Sequence, residues 1–274
     1  MTAKLNDIAN TVVLAGAGKM GGAMLEGWLA LGLEPKHITV IEPQPADSVK
    51  ALAARGLRLN PPAQKIGDVA ALIIAVKPQI AAEAILPLAA MAGPSTLVVS
   101  IMAGRTLAFL ERALPKTAIV RAMPNTPAAI GRGMTVAVAN GRITTAQRDL
   151  AHRLLAATGA VEWITDENLM DAVTAVSGSG PAYVFLLVES LTRAGIAAGL
   201  PAELAAKLAR ETVAGSGELL HRSPLDAATL RQNVTSPGGT TAAALDVLMA
   251  ANGLDPLLAK AIAAAVKRSR DLAG

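Results

Sequence analysis

The stretch Thr11–Ala23, TVVLAGAGKMGGA, reads as a buried β-strand that runs into a glycine turn and opens a helix. Thr11 to Ala15 is apolar and β-branched at its start, the pattern of an interior strand in a parallel sheet. Gly16, Gly18 and Gly21 then fall at G-x-G-x-x-G spacing. In that arrangement the first glycine permits a tight turn and the second lets the backbone approach a pyrophosphate. The third lets the helix pack closely on the strand, while the helix N-terminus faces the anion. A chain rich in alanine and glycine also produces the bare pattern as a structural turn. The strand before it, the helix after it and an acidic residue, Glu42, closing the next strand favour a dinucleotide site.

Outward from this turn, strand and helix alternate. Apolar residues at helical spacing follow to Leu31, and Gly32 stops the helix. Strands are expected at Ile38–Ile41, Ala71–Val76, Thr96–Ser100, Ala118–Arg121, Met134–Ala139 and Ala160–Ile164. Helices are expected at Ser48–Ala54, Ile80–Met91, Leu107–Leu114 and Thr145–Ala157. Near Asp166 the strand pattern gives way to helical periodicity. Proline stands at expected helix starts (Pro181, Pro201, Pro224). The fold class is therefore α/β: an N-terminal Rossmann doubly wound sheet over 1–165 and a C-terminal all-helical domain over 166–274. The helical half is rich in Ala, Leu and Val on several faces, which predicts burial against a second copy, as a homo-oligomer.

Composition narrows the function. Of 274 residues, 52% are hydrophobic and 17% charged, as in a well-buried globular protein. Five aromatic residues (Trp28, Phe109, Trp163, Tyr183, Phe185) and a net charge of +4 offer no base-stacking platform, so no nucleic acid is expected as a partner. Cysteine is absent and histidine occurs three times. That removes thiolate chemistry and a metal centre from consideration. No leader-like segment precedes the first strand and no uninterrupted apolar run approaches ~20 residues, so a soluble cytoplasmic protein with no membrane partner is expected.

In doubly wound sheets ligands sit beyond the carboxyl ends of the strands. Glu42, 21 positions after Gly21, stands where an acid bonds the adenosine ribose of NAD and repels the 2′-phosphate of NADP. The lesser reading is a solvated turn residue before Pro43. Lys77-Pro78 follows an apolar strand and both starts a helix and lines a cofactor groove. Met123–Pro127, MPNTP, is either a rigid turn capped by Asn125 or a loop that presents Asn125 to the nicotinamide end. Ser177–Pro181 brings small residues ahead of a helix, for close helix packing or close approach to a cofactor. Ser236–Thr241, SPGGTT, is the sharpest feature of the second half. A Gly-Gly pair running into a helix start is an anion cradle, with two threonine hydroxyls beside it, or else a flexible lead-in to an N-cap.

Together these residues resemble the pyrroline-5-carboxylate reductase family over nearly the whole chain. The resemblance is carried by AGAGKMGGAM from Ala15, AVKPQ from Ala75, VVSIMAG from Val98, RAMPNTP from Arg121, VSGSGPAYVF from Val176 and NVTSPGGTT from Asn233. It implies reduction of L-1-pyrroline-5-carboxylate to L-proline by NADPH or NADH, the last step of proline synthesis. It also implies a C-terminal dimerisation domain whose dimers assemble further. By the same resemblance Ala15, Gly16, Ala17, Gly18, Lys19, Met20 and Gly21 hold the pyrophosphate, and Glu42 faces the adenosine ribose. Ala75, Val76, Lys77 and Pro78 line the cofactor, with Ala103 and Asn125 toward the nicotinamide. Ser236, Gly238, Gly239 and Thr240 receive the substrate carboxylate, and Thr241 hydrogen-bonds the ring nitrogen as the catalytic residue.

Two departures stand out. Many relatives carry a small or hydroxylated residue where this chain has Glu42, which leaves the choice between NADH and NADPH open. The segment His221–Asn233 also departs from the family's HPG-containing pattern and is one residue longer. Two other classes compete with this reading. A 3-hydroxyacid dehydrogenase needs a lysine after its glycine-rich helical motif, and no lysine occurs between Lys116 and Lys207. A dinucleotide sensor without catalysis would not need the Ser236–Thr241 cradle.

Overall fold

The computed structural model describes residues 4–273. Its strands are β1 (Thr11–Ala15), β2 (Ile38–Ile41), β3 (Arg58–Leu59), β4 (Val69–Ile74), β5 (Leu97–Ser100), β6 (Ala118–Met123), β7 (Gly133–Ala139) and β8 (Gly159–Trp163). They form one sheet in the order β3-β2-β1-β4-β5-β6-β7-β8. The helices between them are α1 (Lys19–Ala30), α2 (Asp47–Ala53), α3 (Ala81–Leu88), α4 (Leu107–Ala113) and α5 (Thr145–Ala156). The order reverses at β1, which pairs with β2 on one side and β4 on the other. The glycine turn thus leaves the sheet at its topological switch point, where open α/β sheets bind ligands.

Period-two alternation explains why helices cover both faces. Val12 and Leu14 of β1 enter one apolar cluster with Met24 and Trp28 of α1 and Leu154 of α5. Val13 and Ala15 enter the other, with Ala81 and Ile85 of α3 and Leu110 of α4. All five β1 residues are buried, as a strand covered on both faces must be. Trp28 is fully buried, and its indole Nε1–H donates to the Leu154 carbonyl at 2.8 Å. Trp163, the last residue of β8, lies under the Arg148 guanidinium, 4.1 Å from the ring centroid.

The sheet is parallel apart from β6 and β7, which pair antiparallel. Strand–helix alternation predicts a doubly wound parallel sheet, and this pair departs from it. Only nine residues, 124–132, lie between these two strands, with the short 3₁₀ segment Thr126–Ile130 among them, and a parallel crossover needs a dozen or more. From β7 to β8 the chain passes through α5 and the pairing is parallel again.

Sheet structure ends at Trp163, and the remaining described chain is helical. A continuous run begins with the 3₁₀ turn Glu167–Leu169, passes through α6 (Met170–Val173) and the π-helical turn Thr174–Gly178, and leads into α7 (Gly180–Ala197). Then come α8 (Ala202–Arg222), α9 (Ala227–Asn233), α10 (Thr240–Leu248) and α11 (Leu254–Ala273). The chain divides into two compact units. One holds the residues up to Gly178 together with those from Val266 onward, and the other is Ser179–Ala265. Within the second, α7 and α8 form a hairpin through Gly199, whose φ of +98° suits a residue without a β-carbon. A β-carbon on Gly195 would stand 3.2 Å from Cβ of Ala205, so small residues set the separation of the two helices. The proline reading holds only in part. Pro181 lies in the first turn of α7, but Pro201 is the N-cap of α8, and Asp226 rather than Pro224 caps α9.

Trp28→Ala should cost about 3–5 kcal/mol, because it empties the largest buried site and orphans a carbonyl partner. Urea unfolding followed by far-UV circular dichroism should show the midpoint fall with the slope unchanged.

Candidate active site

The glycine turn is built by backbone contact. Gly16 has φ +95° and its N–H donates to the Ile41 carbonyl at 2.9 Å, which carries the β1–β2 ladder into the turn. A β-carbon on Gly16 would lie 2.7 Å from the Ala75 carbonyl oxygen, and one on Gly21 would lie 2.1 Å from the Gly16 carbonyl oxygen. Neither position has room for a side chain. Gly18 differs: a β-carbon there would meet no protein atom within 4 Å. The protein does not need glycine at that position, but a ligand pressed against the backbone would.

Gly18 is the N-cap of α1, no side chain caps it, and the first turn holds no acidic residue. The unpaired N–H groups of a helix start and the positive end of its dipole therefore face open space. That donor set fits a dinucleotide pyrophosphate. Ala17, Gly18, Lys19, Glu42 and Lys77 line one cavity of about 740 Å³, together with Gln44 and Ser48. Ala15, Gly16 and Gly21 are buried behind it, and Met20 is half-buried in the first turn of α1.

Ala75, Val76, Pro78, Ala103 and Asn125 do not line that cavity. They sit on the segments after β4, β5 and β6, which emerge at the same sheet edge because these strands are parallel. The Ala75 N–H donates to the Ala15 carbonyl at 2.7 Å. Arg105, which the sequence did not single out, donates through Nε and Nη2 to the Pro78 carbonyl at 3.1 and 2.7 Å, joining the segments after β4 and β5. Ala103 is exposed beside it. Asn125 turns its amide into the protein. Its Nδ2 donates to the carbonyl and hydroxyl of Ser177 at 3.2 Å, and its Oδ1 accepts from the Met134 N–H at 2.9 Å. It thereby ties the MPNTP turn to the π-helical turn.

Glu42 is held firmly. Its Oε2 accepts from the Ala17 N–H at 2.9 Å and its Oε1 from the Gln44 N–H at 3.0 Å. Its own N–H donates to Asn60 Oδ1 at 2.8 Å, and its carbonyl accepts from Asn60 Nδ2 at 2.9 Å. Asn60 was not among the expected site residues. Its signal is faint, an asparagine ahead of two prolines at the end of a two-residue strand.

The second cradle repeats the logic in the helical unit. Gly238 has φ +71° and no atom within 4 Å of a notional β-carbon, so its outer side is open. The Gly239 N–H donates to the Ser236 carbonyl at 3.0 Å, which closes a turn that delivers Thr240 as the first residue of α10. Gly239 is the N-cap with no side-chain capping bond, and the first turn of α10 carries no acid. Ser236, Gly238 and Thr240 are exposed, and Thr241 is half-buried. Such a start can bind a small carboxylate through backbone N–H groups and hydroxyls. Among the described residues no group of three or more His, Asp or Glu is placed to hold a metal.

Comparison with known proteins agrees with this architecture. Residues 167–272 match the family model described as pyrroline-5-carboxylate reductase dimerisation, and residues 11–104 match that of NADP oxidoreductase coenzyme F420-dependent. A pyrroline-5-carboxylate reductase of Synechocystis is 42% identical over 260 residues, covering 92% of this chain and 96% of that protein. One of Pseudomonas aeruginosa is 38% identical over 264 residues, covering 96% of each. Among solved structures, a pyrroline-5-carboxylate reductase of Coxiella burnetii superposes with a TM-score of 0.89 at 34% identity, covering 97% of this chain and 99% of that one. The Plasmodium falciparum pyrroline carboxylate reductase with NADP bound gives 0.80 at 28% identity, covering 97% and 99%.

The contrast between glycines predicts a split. Gly18→Ala should leave the melting temperature within about 2 °C of wild type while weakening dinucleotide binding about tenfold or more, read by titration of reduced cofactor. Gly21→Ala should instead lower the melting temperature by several degrees, because backbone must move to admit its methyl group.

Proposed function

The chain belongs to the pyrroline-5-carboxylate reductase family, and from that premise we infer how its two cradles divide the work. The protein reduces L-1-pyrroline-5-carboxylate to L-proline with NAD(P)H. The observation that carries this is the match to reductases over 92% of the chain at 42% identity, in a chain that also presents the open Gly18 turn.

The substrate is a cyclic imine with a carboxylate. Once protonated at nitrogen it is already an electrophile, so its reduction at C5 needs positioning and charge complementarity rather than a strong protein acid. The bound reduced nicotinamide supplies the hydride. The turn Ala15–Gly21 holds the pyrophosphate at the start of α1, and Glu42 takes the adenosine ribose. Lys77 adds a positive charge at the cavity wall, while Ala75, Val76 and Pro78 supply backbone along the cofactor. Arg105 fixes that segment by holding the Pro78 carbonyl. Ala103 and Asn125 complete the nicotinamide side, with Asn125 acting through the turn it braces. Ser236, Gly238, Gly239 and Thr240 take the substrate carboxylate at the start of α10, and the Thr241 hydroxyl hydrogen-bonds the ring nitrogen.

The working unit is a homodimer, assembled through the helical domain and able to associate further. The run Glu167–Ala197 is long and apolar enough by composition to cross a membrane, and almost none of its most apolar part is buried within one chain. Phe185 and Leu186 are more than half exposed, at 62% and 54%. We read this as a face for a second copy in a cytoplasmic enzyme. The run also carries Glu189 and Arg193, and it is broken into 3₁₀, α and π turns.

The purified protein should oxidise reduced nicotinamide with pyrroline-5-carboxylate and not with a 3-oxo acid. Absence of imine-dependent turnover with both NADH and NADPH would refute the assignment. Thr241→Val should lower kcat/KM for the imine about 10- to 100-fold, the worth of a hydrogen bond to a charged group. Phe185→Glu should shift the sedimenting species toward monomer, and an unchanged dimer would remove α7 from the interface.

A further inference from the structure

We propose that this chain selects NADH over NADPH through the Glu42 carboxylate, with Asn60 as the residue that positions it. The proposal rests on the dinucleotide reading of the Gly18 cradle and adds the discrimination to it.

Glu42 ends β2, the strand after which the adenosine ribose lies in such sheets. Its position is fixed at both ends of the residue. The two carboxylate oxygens accept from the N–H groups of Ala17 and Gln44 at 2.9 and 3.0 Å. Bonds from backbone N–H groups to an ionised acceptor are stronger than neutral ones, so moving the carboxylate aside is costly. The backbone is clamped by the Asn60 side chain, which receives the Glu42 N–H and donates to the Glu42 carbonyl. The Asn60 N–H in turn donates to the Val40 carbonyl at 2.9 Å. Asn60 therefore extends the β2–β3 pairing by one step with a side chain in place of backbone. Its φ of +49° belongs to the left-handed region that asparagine tolerates better than most residues.

A carboxylate has about four lone-pair sites. Two are used by Ala17 and Gln44, which leaves capacity for the hydroxyls of an unmodified ribose. A 2′-phosphate would bring up to two negative charges against a fixed one. No arginine lines this cavity, and its two lysines, Lys19 and Lys77, follow β1 and β4 rather than β2. The residues that line the cavity after β2 include Gln44, Ala46 and Ser48, and the segment contributes no cationic side chain to the wall.

The test is direct binding of NADH and NADPH, followed by the fluorescence of the bound nicotinamide without substrate, in wild type, Glu42→Ser and Asn60→Gly. Glycine at 60 keeps the left-handed backbone and removes only the clamp. Wild type should bind NADH at least about tenfold more tightly than NADPH. Glu42→Ser should bring the ratio to within about threefold of unity by strengthening NADPH, and Asn60→Gly should lower it part of the way. Wild type binding NADPH as tightly as NADH, or a ratio unmoved in Glu42→Ser, would overturn the proposal. A fall in both affinities together in Asn60→Gly would overturn the role of Asn60, since a merely structural loss does not change the ratio. Binding of neither cofactor would take down the dinucleotide cradle itself, whereas equal binding leaves that cradle and the reductase assignment standing.

Discussion

Close packing between Gly21 and the Gly16 carbonyl is the constraint on which the rest of the nucleotide-binding unit depends. Because no side chain fits between them, α1 can begin directly over the end of β1, at the point where the sheet order reverses. From there the helix axis is set, and Trp28 reaches the Leu154 carbonyl to lock α1 against α5. The same approach leaves the start of α1 open at Gly18, with its N–H groups aimed outward. Packing in the core and access at the site are thus two results of one steric condition.

The helical unit reaches a comparable solution without a sheet. Gly238 and Gly239 bend the chain into the start of α10, again with no side-chain cap and no acidic residue in the first turn. Both helix starts therefore present backbone N–H groups suited to anions, with no capping side chain in the way. That economy suits the composition of the chain. The absence of cysteine and the scarcity of histidine would be a handicap for acid–base or nucleophilic catalysis, but an imine that carries its own proton asks for little of either.

Much of this was legible in the sequence, for reasons that can be named. β1, the glycine turn and α1 were readable because period, steric demand and helix start coincide within thirteen residues. Alternation of apolar runs gave the α/β class, and the Gly-Gly-Thr-Thr sequence placed the start of α10. Strand direction was not readable between β6 and β7, since side-chain alternation is the same for either sense and only the loop length carries the information. β3 escaped notice because two residues have no period. The Asn60 clamp and the Arg105 bridge were hidden for a different reason. Each joins segments that only the folded chain brings together, so no local pattern marks them. Pro201 and Pro224 misled because proline suits several positions around a helix start, not one.

The placement of the two tryptophans has a spectroscopic consequence. Trp28 and Trp163 both belong to the unit built on the sheet, one sealed in its apolar interior and the other stacked under Arg148. Ser179–Ala265 contains none. Indole emission is therefore silent about the helical unit, whose melting registers mainly as lost ellipticity. Indole emission thus follows the sheet-built unit alone while ellipticity follows both units, and disagreement between the two signals during denaturation would reveal whether the units come apart in one step or two.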